Sequence, residues 1–69
     1  MKFLLVIKVC SALSGDCLPE KEVSYHNTWF ECARQGTVET LMLLDSIGEG
    51  LVNKNMLFVG FSCRVTNGV

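Results

Sequence analysis

The sequence has one proline, one histidine and one tryptophan among its 69 residues, and no apolar run long enough to cross a bilayer. Its first apolar stretch, Phe3-Leu4-Leu5-Val6-Ile7, closes at Lys8, far short of the roughly 20 residues a transmembrane helix needs. A single proline, Pro19, and no low-complexity tract exclude a proline-rich spacer. The six basic residues, Lys2, Lys8, Lys21, Arg34, Lys54 and Arg64, are scattered. Nucleic-acid binding requires a clustered basic footprint, so no nucleic-acid partner is expected. The sequence also lacks C-x-x-C, G-x-S-x-G, H-E-x-x-H and N-x-S/T, which removes the usual thiol-redox, serine-hydrolase, zinc-protease and glycosylation signatures. Glu20, Glu22, Glu31, Glu39, Asp45 and Glu49 follow no metal-ligand or acid/base spacing, and Gly48-Glu49-Gly50 ends a helical pattern instead of opening one. No enzymatic activity and no cofactor are expected.

What the sequence does have is four cysteines, Cys10, Cys17, Cys32 and Cys63. A chain of this length is one domain, residues 1–69, and buries only about 60% of the surface of its unfolded form, so its core needs help. Disulfides, a metal and self-association are the usual remedies. Three readings of the thiols stand side by side. Two structural disulfides suit an oxidising compartment, and closing a loop such as Cys17 to Cys32 contributes about 3 kcal/mol in the chain-entropy model. Four reduced thiols in a cytoplasmic protein would act as small apolar residues. A tetrahedral metal site on all four is the third, although C-x6-C-x14-C-x30-C lacks the close pair typical of structural zinc. The pairing is left open. The cytoplasm is the expected location, or an oxidising compartment if the disulfides form.

Two strands and one helix are expected. Lys2 to Cys10 is rich in β-formers and free of Gly and Pro. Phe3, Leu5, Ile7 and Val9 make an apolar face toward the core, and Leu4 and Val6 are left on the other. Ser11 to Val23, with Gly15, Pro19 and Glu20-Lys21-Glu22, reads as a loop. Ser24 is a candidate helix cap. From there Tyr25, Trp29, Cys32, Ala33, Gly36, Thr40, Leu43, Leu44, Ile47 and Leu51 fall within about 60° of one direction on a helical wheel. This stripe argues for one long helix, with Gly36 facing the sheet and Asn53-Lys54-Asn55 as the following turn; two helices joined at Gly36-Thr37 are the alternative. Met56 to Val65 alternates as a second strand. The expected fold is α/β, a small βαβ unit with two parallel strands packed on one long helix. All four cysteines would then gather at one end.

That architecture leaves apolar surface over. Phe30, Val38, Leu41 and Met42 on the helix, and Leu4, Val6 and Phe58 on the free sheet face, point to a partner, and a homodimer is the commonest way to cover such a face. His26 reads as a surface histidine at the helix start, and Trp29 as core.

The amino terminus loosely imitates a secretory signal, but Lys8 interrupts it, and an uncleaved start is expected.

The pattern Val9-Cys10-Ser11, Gly15-Asp16-Cys17, an aromatic segment Tyr25 to Phe30 leading to Cys32, Asn53-Lys54 and Phe61-Ser62-Cys63 resembles small uncharacterised cysteine-containing proteins of tailed bacteriophages, particularly of marine bacteria. The resemblance implies a source and carries over no activity or functional residue. The expected function is a protein-interaction protein, a phage accessory protein acting on a host factor. The alternative is a cysteine-centred metal-binding or thiol-redox module.

Overall fold

A computed structural model describes residues 1–67. The elements are β1 (Lys2–Ser11), β2 (Lys21–His26), α1 (Trp29–Ile47), α2 (Glu49–Asn55) and β3 (Leu57–Thr66). The three strands form one sheet in the order β2-β1-β3, with β1 antiparallel to both neighbours. The expected parallel βαβ unit is therefore corrected: the sheet is antiparallel, and it contains a strand where a loop was expected. A helical crossover does join two strands that run the same way, but they are β2 and β3, and β1 lies between them.

The added strand explains the reversal. Lys21-Glu22-Val23-Ser24-Tyr25-His26 places charged residues at the start of a strand that still carries two good β-formers, Val23 and Tyr25. It returns along β1 from a tip held by Gly15 at φ 80°, with Gly15 N–H donating to Ser11 O at 2.8 Å and Ser11 N–H to Asp16 O at 2.8 Å. The Ser11 hydroxyl donates to Asn55 O at 2.7 Å and Ala12 N–H to Met56 O at 2.9 Å, which ties the hairpin tip to the end of α2.

With neighbours on both edges, β1 is the centre of the molecule. Leu4, Leu5, Val6 and Ile7 are all buried, so Leu4 and Val6 are core residues and not leftover surface. They share the face opposite α1 with Arg64, which stands across from Leu4. Arg64 on β3 pairs with Glu20 ahead of β2, an ion pair that joins the two outer strands across β1. On the other face, Cys63 and Phe61 lie opposite Leu5 and Ile7 and meet α1 at Cys32 and Gly36.

Thr28, not Ser24, caps α1, its hydroxyl accepting from Glu31 N–H at 3.1 Å. Tyr25 belongs to β2, although its position continues the helical stripe. The helix runs unbroken through Gly36 and ends at Gly48, whose φ of 95° favours a residue without a side chain. Asn53, Lys54 and Asn55 are helical, and the chain turns instead at Met56, in the left-handed region at φ 50°.

Gly36 is where helix and sheet come closest: a Cβ there would overlap the Phe61 ring. Gly36→Ala gains about 1 kcal/mol of helix propensity but overpacks the contact at a cost of about 1–3 kcal/mol. The expected result is a lower urea midpoint with an unchanged slope. A raised midpoint would show that the Phe61 ring moves aside freely.

Candidate functional site: paired cysteines, apolar helix surface and an open strand edge

The cysteines form two disulfides, Cys10–Cys17 and Cys32–Cys63. Cys10 and Cys17 face each other across the hairpin as an isolated bridge, with Cα atoms 4.0 Å apart. Cys32, fully buried in the second turn of α1, reaches Cys63 of β3 with Cα atoms 6.2 Å apart. The expected convergence of four thiols at one end is corrected. Cys63 stands opposite Leu5, five positions from Cys10 along β1, or roughly 17 Å at strand rise. The two bridges also involve opposite faces of the sheet, because Cys10 and Leu5 differ in parity along β1. A shared metal site on Cys10, Cys17, Cys32 and Cys63 does not fit this arrangement.

Among the described residues, no group of three or more His, Cys, Asp or Glu is placed to hold a metal. His26 is the last residue of β2, half-buried, and its Nε2 lies 2.7 Å from the Ser24 hydroxyl. Cys32, six residues on, is committed to a disulfide, so among the described residues it is no thiol partner for His26.

Of the residues expected to form an interaction surface, Phe30, Val38, Leu41, Met42 and Phe58 are exposed. They form three groups and not one. Phe30 and Leu41, eleven residues apart, project within about 20° of each other on α1. Val38 borders a cleft shared with His26, Glu31, Arg34 and Gln35, on the flank of α1 that faces β2, and Met42 projects about 40° from Val38 on the same side. Phe58 lies on the opposite face of the sheet, across from Cys10. Trp29, expected in the core, is exposed and meets Phe3 edge to face, ring centres 5.9 Å apart.

The two flanks of the molecule differ in chemistry. Toward β2, Glu31, Arg34, Gln35 and Glu39 on α1 stand above Lys21 and Glu22, with Gln35 Nε2 donating to Glu39 at 2.8 Å. Toward β3, the wheel places Ala33, Thr37 and Leu44, all uncharged, beside Phe30 and Leu41. β3 itself carries one charged residue, Arg64, and exposes Phe58, Phe61 and Val65.

A groove of about 620 Å³ opens between the hairpin tip and the end of α1, with Val9, Leu13, Leu18, Leu43, Ile47 and Leu57 along its walls. Neither Leu13 nor Leu18 stood out in sequence. The one available signal was two leucines flanking Cys17 in an otherwise polar segment.

No protein family, curated protein or solved structure matches this chain.

The two disulfides constrain the unfolded chain unequally. Their separations of 31 and 7 residues correspond to about 3.7 and about 2.4 kcal/mol in the chain-entropy model. Replacing Cys32 and Cys63 together by alanine is expected to lower the unfolding free energy about one and a half times as far as replacing Cys10 and Cys17. Urea titration of the two double variants reads the order directly, and a larger loss from the Cys10/Cys17 pair would contradict it.

Proposed function

We propose that this chain is a disulfide-stapled protein-interaction module: its activity is to bind another protein, and it catalyses no reaction. The observation that carries the reading is the outer surface of α1, where Phe30, Leu41 and Met42 are 71%, 61% and 57% exposed. Among the described residues six hydrophobic ones make up the buried core, so these larger side chains in water are not needed by the fold. Phe30 and Leu41 project to the same side of α1, and apolar surface that a fold leaves open supports a site of association. The two disulfides support a scaffold held rigid independently of its small core, and they favour an oxidising compartment. The likeness to small phage proteins supports an accessory role, with a host protein as the partner.

The test is to immobilise the oxidised chain and compare the host proteins it retains with those retained by Leu41→Asp and Met42→Asp. Both positions are exposed, so the variants are expected to keep the far-ultraviolet dichroism of the parent while losing the specifically retained protein at least tenfold. Retention unchanged in both variants would remove the outer face of α1 as the contact.

A further inference from the structure

We propose that the open edge of β3 is a homodimerisation seam, on which β3 of a second copy adds antiparallel to make a continuous six-stranded sheet. The proposal extends the interaction reading from the helix to the sheet and uses a different surface.

The argument starts with which backbone groups β3 leaves unpaired. Ala12 N–H donates to Met56 O, one step beyond the Ser11↔Leu57 end of the β1–β3 ladder. In an antiparallel ladder, hydrogen-bonded pairs alternate with non-hydrogen-bonded ones. Even-numbered residues of β3 therefore turn their N–H and C=O groups toward β1. On the same logic the odd residues of β1 face β2, and Leu18 N–H does donate to Val9 O. The outward groups of β3 are then those of Leu57, Val59, Phe61, Cys63 and Val65. Among the described residues, none of these backbone groups has a hydrogen-bond partner outside the strand ladder.

The two edges of the sheet are treated differently. β2 is six residues long, irregular between its pairings with Leu5 and Val6, and opens on Lys21-Glu22, which are standard protections against strand addition. β3 has ten residues in unbroken register with β1, no proline and no lysine. An edge so long and so little protected is a template for another strand.

The spacing selects a second copy as that strand. The five outward residues are symmetric about Phe61, so a two-fold axis there pairs Leu57 with Val65, Val59 with Cys63, and Phe61 with Phe61 of the second copy. Every outward group is used, in about ten inter-chain hydrogen bonds. Sliding by one pair in either direction leaves one residue of each copy unpaired. On the open face the same register sets Phe58, 52% exposed, directly across from Arg64 of the second copy. There the arginine's methylene stem offers an apolar surface while its head stays with Glu20.

The exposed surface leaves area for such a seam, whichever strand fills it. A folded monomer of 7.6 kDa exposes about 4,300 Å² by surface-to-mass scaling, whereas this chain exposes 4824 Å². A standard interface removes about 800 Å² from each partner. The uncharged flank of α1, with Ala33 and Leu44, lets two helices approach over the seam without like-charge repulsion.

The experiment is sedimentation and amide hydrogen exchange of the full oxidised chain and of Val59→Pro, which removes one outward N–H and no bond to β1. The parent is expected to sediment at twice the chain mass, with the amides of Leu57, Val59, Phe61, Cys63 and Val65 protected at least tenfold more than on dilution to monomer. Val59→Pro is expected at the single-chain mass with Phe58, Gly60, Ser62 and Arg64 still protected. A parent that stays monomeric at millimolar concentration overturns the seam, as does a dimer that persists in Val59→Pro. If Val59→Pro unfolds, rapid exchange of the outward amides in the parent dimer overturns it as well. A monomer that still loses its host partner on Leu41→Asp would refute the seam alone and leave the function intact.

Discussion

The structure depends on β1 being a central strand. Its even residues bond to β3 and its odd residues to β2, which fixes the register of both outer strands from one template. The chain can then bury Leu4 and Val6 on one face and Leu5 and Ile7 on the other. For a chain of 69 residues this is an economical core, because one strand supplies five of the six buried residues among those described. Everything else is arranged to hold that strand: a hairpin and its disulfide on one side, and a crossover helix and its disulfide on the other.

The two bridges do different physical work. Cys10–Cys17 closes the hairpin where strand pairing gives way to the tip, and the neighbouring Ser11 hydroxyl fastens that tip to Asn55. Cys32–Cys63 fastens α1 to β3, the strand farthest from the helix's own start in β2. A helix with a narrow buried stripe would otherwise rest on Gly36 against Phe61 and on the partly buried Leu43, Leu44 and Ile47. Because stapling replaces a large core, α1 is free to present Phe30, Leu41 and Met42 to water. That connects the covalent framework to the proposed binding role.

Where local signals agreed with the fold, the sequence was readable. The β-formers of Lys2–Ser11 and Leu57–Thr66 and the passage of one helix through Gly36 were all visible in periodicity. The topology was not, because it turned on six residues. Lys21 to His26 combines the charged Lys21 and Glu22 with a run that continues the helical stripe into Tyr25. Its strand character comes from pairing with β1 and not from intrinsic preference, as is common for short edge strands. Missing that strand moved the first strand of the crossover from β2 to β1. It also exposed Leu4 and Val6 on paper and drew four cysteines to one end. The exposed helix residues survived the error, since they depend on α1 alone. The β3 edge could not be seen until the register of its inner side was known.

Peptide mapping without reduction tests the arrangement around β1 most directly. Cleavage after lysine and arginine yields peptide 9–21 with Cys10 and Cys17, peptide 22–34 with Cys32, and peptide 55–64 with Cys63. The structure requires 9–21 to appear alone with an internal bridge, and 22–34 to appear joined to 55–64. A link between 9–21 and either of the other peptides would contradict the central placement of β1, because it would join cysteines that this sheet holds apart.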